Sequence, residues 1–296
     1  MPENVCRYCD HDENAPDGIC NKTSGSDGKI VRCVGSWSKD KLFYLQKYLE
    51  IFTTSMRPKW KSLCYIDVFA GPGKCKIRKS GKEILGSPLI ALSTKYPFDK
   101  YIFIDDNSET TSALTARTKE ACEVRGIDFN NVVIETGDCN QLVATIKSII
   151  PKKSLTVCFL DPTGLQLKYE SIRQLTEGIP IDLVINFPLG TALKRNIDLF
   201  HQKGSLIMNN FWGNEAWRKI YEELPQGASD RKFEGAFIKG FWERLSQLGY
   251  KPLEIDDVIG IRHYYFLLFA SKHPLGQKFG KEVAAKEPSG QGRLEL

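Results

Sequence analysis

No stretch of this 296-residue chain approaches the ~18 uninterrupted apolar residues of a membrane helix. The opening Met1 to Cys6 lacks a basic flank and an apolar core, so no secretory leader is read there and a cytoplasmic, unexported protein is expected. Histidine is scarce, with four residues, and His201, His263 and His273 have no partner spacing of a metal site or a triad. There is neither a Gly-x-Ser-x-Gly elbow nor a complete phosphate loop, which removes support for hydrolase and nucleotide triphosphatase readings. What remains is an ordinary globular composition, 42% apolar and 26% charged.

Nine cysteines without an export signal are expected to be reduced thiols or metal ligands rather than disulfides. Four of them, Cys6, Cys9, Cys20 and Cys33, fall in residues 1–36, a polar segment poor in apolar side chains. Such a segment needs a staple to order itself. Cys6-x2-Cys9 forms a knuckle for two corners of a tetrahedral zinc, and Cys20 and Cys33 can close it, with His11 as a substitute ligand. The expectation is a cysteine-rich zinc module at 1–36; the alternative is a disordered or redox-labile extension. Cys64, Cys122, Cys139 and Cys158 read as small buried hydrophobes.

Leu42, Leu45, Leu49 and Phe52 share one helical face after Ser38, a candidate N-cap. Five apolar runs of strand length follow: Cys64 to Ala70, Tyr101 to Ile104, Val132 to Glu135, Leu155 to Leu160 and Asp182 to Phe187. Between them lie helix-like segments starting at Ser87 (with Pro88 at the first position), Ser108, about Asn140 and Tyr169. This alternation predicts an α/β fold with a doubly wound, mostly parallel sheet across 37–296. Residues of about 190–248 are helical and aromatic, too long for a plain crossover, and read as a helical insertion. Pro252 to Ile255 and His263 to Phe269 are expected to form a closing antiparallel pair, followed by one helix and a polar tail.

The first strand ends in Tyr65-Ile66-Asp67-Val68-Phe69-Ala70-Gly71-Pro72-Gly73. A dinucleotide fingerprint requires a third glycine where Lys76 stands, so nicotinamide and flavin binding are disfavoured. Asp-x-Phe-x-Gly-x-Gly instead matches S-adenosylmethionine (SAM) sites, where glycines admit the cofactor's amino-acid end and the carboxylate accepts from its ammonium, directly or through water. Acids recur at the following strand ends: Asp105 and Asp106 where a ribose would lie, Asp138 with Cys139 beside an adenine edge, and Asp161 with Pro162 at the reacting group. Each alone is equally a helix cap or solvated loop. Together they outline one crevice, with cofactor contacts expected at Asp67, Phe69, Ala70, Gly71, Gly73, Asp105, Asp106, Asp138 and Cys139, and Asp161 and Pro162 facing the acceptor. Asn186 and Pro188, at the next strand end, complete that wall.

With Gly86-Ser87-Pro88, Phe159-Leu160-Asp161-Pro162-Thr163-Gly164-Leu165, Ile185-Asn186-Phe187-Pro188 and Ser271-Lys272-His273-Pro274-Leu275-Gly276, these residues resemble the three-Cys-motif partner proteins. That family is similar to class I SAM-dependent methyltransferases. The resemblance covers roughly residues 36 to 290. It implies a Rossmann-like methyltransferase fold and a companion protein, while the substrate does not carry over. Thr163 and Gly164 replace the second proline and the aromatic ring that amine methyltransferases place after this strand, and the Pro-Cys nucleophile of cytosine-carbon enzymes is missing.

The positive charge is local. Residues 57–82 hold eight basic side chains against one acid, although the whole chain carries only +5. Lys74, Lys76, Arg78 and Lys79 form a loop expected to project beside the cofactor and engage phosphates of a nucleic acid or another phosphorylated molecule; its alternative is a solvated surface. Two readings stay open: a methyltransferase acting on such an acceptor, and a non-catalytic methyltransferase-like subunit docked on a companion. Neither involves a membrane.

Overall fold

The computed structural model describes residues 23–288 except 79, 203–205, 255–256 and 263, and of Thr191 the backbone only. They fall into two compact units, one of residues up to 139 with 150–154, the other of 140–149 with 155 onward.

The first unit contains β1 (Arg32–Val34), α1 (Ser38–Met56), β2 (Leu63–Asp67), β3 (Lys74–Ile77), β4 (Glu83–Leu85), α2 (Ser87–Leu92), β5 (Lys100–Asp105), α3 (Ser108–Arg125) and β6 (Val132–Thr136). Strands β6, β5 and β2 lie side by side in that order, all parallel, with Asp67 opposite Phe103 and Asp105 opposite Thr136. Every residue of β2 is buried, which is why its sequence is continuously apolar rather than alternating. From α1, Leu42, Leu45, Leu49 and Phe52 are buried, the face expected from their spacing, and Tyr48 is buried with them. Phe52 stacks between Tyr48 and Phe98 at centroid distances of 6.3 and 6.1 Å. Each such side chain contributes about 1.5–3 kcal/mol by leaving water. Trp37, not Ser38, occupies the N-cap, and Ser38 is buried as the first helical residue.

The segment expected as one loop over 74–82 begins as a strand, Lys74–Ile77. Lys74–Ile77 and Glu83–Leu85 pair antiparallel as a hairpin, and β1 runs parallel along its other side, Cys33 opposite Lys76. Lys-Cys-Lys-Ile alternates polar and apolar with a period of two, a strand signal that its charge density hides. Residues 23–34 therefore pack into the first unit. Cys33 is buried in β1 at 3% exposure, whereas Cys6, Cys9, His11 and Cys20 lie outside the described residues. Among the described residues no group of three or more His, Cys, Asp or Glu is placed to hold a metal ion.

The second unit contains α4 (Val143–Ile149), β7 (Leu155–Leu160), α5 (Tyr169–Thr176), β8 (Ile181–Phe187), a π-helical turn at Leu189–Leu193, α6 (Lys194–His201), α7 (Ile207–Trp212), α8 (Ala216–Glu222), α9 (Asp230–Ser246), β9 (Ile259–Ile261), β10 (Tyr265–Ala270) and α10 (Pro274–Ala284). β7 and β8 are parallel; β10 adds antiparallel to β8, with Leu267 opposite Asn186, and β9 pairs antiparallel with β10. The closing strand expected at 252–255 lies instead at 259–261. Pro252 cannot donate to a ladder, while Ile259-Gly260-Ile261 alternates buried, exposed, buried.

The aromatic helices form a core. Phe187 of β8 stacks on Phe241 at 4.8 Å and on Phe211 at 5.8 Å, and Trp212, Trp217 and Phe237 are fully buried. Gly240 of α9 is there for space: a Cβ would stand 2.3 Å from Ile220 Cδ1 and 3.0 Å from the Trp212 ring. Among the described residues no helix is long and apolar enough to cross a membrane.

Candidate functional site

After β2 the chain turns through Phe69-Ala70-Gly71-Pro72-Gly73. Gly71 and Gly73 both have positive φ, 63° and 82°, the left-handed region where a Cβ is unfavourable. The two glycines differ in surroundings. A Cβ on Gly73 would press on Leu114 Cδ1 at 3.1 Å, while one on Gly71 would have only Arg32 Nη1 nearby, at 3.9 Å. Gly71, itself buried, therefore has room beside its Cα.

The turn is tied to the neighbouring strand ends by hydrogen bonds. Ala70 N–H donates to Ile104 O at 2.8 Å and Gly71 N–H to Asp105 Oδ2 at 2.9 Å. Gly137 N–H, after β6, donates to Asp105 O at 3.0 Å, and the hydroxyls of Thr111 and Thr136 meet at 2.7 Å. The structure thus brings the glycine turn, Asp105 and the Gly137-Asp138 tip to one edge of three parallel strands. Asp106 and Asp138 are exposed there, and Cys139 is buried. Burial raises the Asp105 carboxyl above its ordinary range, opposed by N–H bonds from Asn107 and Gly71 and by the positive charge of Arg32.

Asp67 closes β2 beneath the turn. Its side chain is fully buried, accepting from Phe69 N–H at 3.2 Å and from the Tyr65 hydroxyl at 3.4 Å. It braces the turn from inside.

The turn is also held from outside by residues that sequence reasoning missed. Arg117 of α3, 1% exposed, spends its guanidinium on Asp27 (Nε and Nη2, both 2.8 Å) and on the carbonyls of Lys29 (3.2 Å), Ile30 (2.7 Å) and Pro72 (2.6 Å). One side chain thereby joins the N-terminal segment to the glycine turn. The Arg117 hydrogen bonds hold the Asp27 carboxyl far below its usual range. The signal was present in the sequence: Ala113, Leu114, Arg117 and Thr118 share the buried face of α3, an arginine where the apolar stripe should continue.

The basic run is partly engaged within the fold. Lys74 Nζ lies 3.4 Å from Asp27 Oδ2, and Lys76 Nζ donates to Ser24 O at 3.4 Å. Arg78 is half-buried after the hairpin strand, its N–H on Val34 O, and Lys79 lies outside the described residues. A cavity of about 500 Å³ opens between α1, the hairpin and α2, lined by Leu42, Phe43, Lys74, Ile84, Leu85 and Ile90.

In the second unit Asp161 and Pro162 follow β7. Asn186 of β8 donates Nδ2–H to Asp161 Oδ1 at 2.7 Å. Asn186 is 1% exposed and its Oδ1 is a buried acceptor with no donor among the described residues. Thr163 and Gly164 are held by Gln166, which donates to the Thr163 hydroxyl at 2.6 Å and accepts from Gly164 N–H at 2.7 Å. Asn140 organises the next loop, donating to Gln166 O and accepting from Lys168 N–H and the Ser171 hydroxyl, at 2.9, 2.9 and 2.8 Å. Pro188 is buried at the start of the π-helical turn.

No family model and no curated protein matches the chain. Solved structures similar to it are distant. A Legionella pneumophila protein is 11% identical, over 83% of this chain and 90% of its own, with a TM-score of 0.46. Trm1 from Pyrococcus horikoshii, solved with S-adenosyl-L-methionine, is 10% identical over 84% of this chain and 58% of its own, TM-score 0.47. The O-methyltransferase TomG from Streptomyces achromogenes, in complex with SAM, is 12% identical over 81% and 82%, TM-score 0.44. Likeness at this distance assigns no residue a role.

Proposed function

We propose that the protein is a SAM-dependent methyltransferase, and that the glycine turn of the first unit holds the cofactor. The observation that carries this reading is the room beside Gly71, whose positive φ and tie to Asp105 hold the turn among acidic strand tips. A nucleoside carrying an amino acid suits such a donor set. Backbone at the turn admits the amino-acid end, Asp105 and Asp106 offer acceptors to ribose hydroxyls, and Asp138 with the Cys139 backbone flanks the base. SAM supplies an electrophilic methyl group on its sulfonium. The protein's own contribution is to position the acceptor, exclude water and receive a proton, for which Asp161, oriented by Asn186, is the candidate.

The acceptor is proposed to be a nucleic acid or another phosphorylated molecule, engaged by Lys76, Arg78 and Lys79 and reached by a cytoplasmic protein working with a companion. The three-Cys-motif partner family remains the proposed relationship, on the motifs quoted above. Structural zinc at Cys6, Cys9, Cys20 and Cys33 is likewise proposed. Only Cys33 of that set is described, so the support is the cysteine spacing, and metal analysis finding about one equivalent per chain checks it.

Calorimetry with SAM and with its demethylated product tests the cofactor site: both bind under this reading, and binding of neither overturns it. Labelled-methyl transfer to RNA, DNA and protein extracts tests turnover. Asp161→Asn is expected to lower transfer about 10²–10⁴-fold with cofactor affinity unchanged. Binding without transfer to any acceptor identifies the non-catalytic subunit instead.

A further inference from the structure

We propose that Arg32 is the residue that receives the α-carboxylate of the ligand at the glycine turn, and so selects a nucleoside that still carries its carboxylate. This rests on the cofactor reading above and deepens it.

Three observations place Arg32 there. First, among the described residues the open face of Gly71 has one side-chain neighbour, the Arg32 guanidinium, with Nη1 3.9 Å from where a Cβ would stand. A group lying on that backbone meets the guanidinium. Second, the direction of the side chain is fixed by its strand. In β1, Cys33 is buried while Arg32 and Val34 are half-exposed, so Arg32 points away from the packed face, and it sits opposite Cys75, two residues after Gly73. Third, the segment is anchored before a ligand arrives. Arg117 grips Asp27 and the carbonyls of Lys29 and Ile30, and Val31 N–H donates to Thr23 O at 2.8 Å. A pre-positioned guanidinium loses little freedom on binding.

Both signs of charge stand around the turn. The Arg32 guanidinium lies beside Gly71, Asp105 accepts from Gly71 N–H, and the electrostatic influence of Arg32 reaches Asp105. An α-amino acid is itself a pair of opposite charges, and it is matched by charge: carboxylate on Arg32, ammonium and hydroxyls on the acids. Guanidinium suits this task because its planar fork binds a carboxylate through two parallel N–H bonds, which an ammonium cannot reproduce.

The test compares SAM with decarboxylated SAM, which keeps the sulfonium and the amine but has no carboxylate. Calorimetry on the full chain is expected to find wild type preferring SAM by about 10- to 100-fold, the scale of a charge-assisted hydrogen-bond pair. Arg32→Met should remove that preference, weakening SAM while leaving decarboxylated SAM within about twofold of wild type, and Arg32→Lys should restore part of it. Arg32→Gln replaces the Met variant should the latter fail to fold by circular dichroism. Equal weakening of both ligands by either variant, or a preference that survives the substitution, overturns the role of Arg32 while wild-type SAM binding still stands. Wild type binding neither ligand overturns the cofactor reading itself.

Discussion

Asp27 and Arg117 form the most consequential side-chain pair in the first unit, 90 positions apart in the chain. Arg117 is 1% exposed and Asp27 19%, so removing the acid leaves a guanidinium charge inside the fold. Asp27→Asn is expected to cost about 3 kcal/mol, because breaking a buried pair strands its partner; chemical denaturation measures it. The pH dependence follows from the same contact. Arg117, with Lys74 and the Lys29 N–H, lowers the folded Asp27 carboxyl below its unfolded value. Its contribution is therefore complete above the ordinary aspartate range of about 3.9 and is lost as pH falls below it. Wild type should lose this increment of stability in acid, and Asp27→Asn should not.

At the scale of elements, the glycine turn and the start of α2 are built against each other. Gly86 N–H donates to Gly73 O at 2.7 Å, and a Cβ on Gly86 would lie 3.0 Å from that oxygen and 3.1 Å from its carbon. Backbone cannot swing aside as a side-chain tip can. Gly86→Ala should destabilise by about 1–3 kcal/mol and weaken cofactor binding about tenfold, equivalent to ~1.4 kcal/mol. Gly126→Ala is the control: it strains the left-handed C-cap of α3 with nothing within 4 Å of the new Cβ, so stability falls and affinity does not. The same elements show what could be read from sequence. Strands β2, β5, β7 and β8 were legible because buried parallel strands are apolar throughout, and the acids at their ends followed from that. The hairpin β3–β4 was not, because lysines on the alternate positions read as a charge run. Nor was β1, three residues long, whose pairing with β3 depends on a segment distant in sequence. Arg117 shows in the sequence only as an arginine on the buried stripe of α3; the five hydrogen bonds that explain it go to remote partners.

For the molecule as a whole, charge rather than fold governs the proposed acceptor. The chain carries +5, Lys74 is already neutralised in part by Asp27, and the proposal assigns three basic residues, Lys76, Arg78 and Lys79, to phosphates. Three phosphate contacts predict a loss of nucleic-acid affinity of about 40-fold between roughly 50 and 200 mM salt. Alanine at those three positions should flatten that slope in a filter-binding titration; an unchanged slope removes them as the phosphate contacts.

The Arg117 grip also dictates where the chain can be cut. A recombinant version trimmed to begin at α1 would look tidy, since it discards a polar leader and keeps every strand that follows. It would also strip four of the five acceptors from an interior arginine and vacate the wall beside Pro72. Such a truncation is expected to emerge insoluble, and any useful shorter version must start ahead of Thr23.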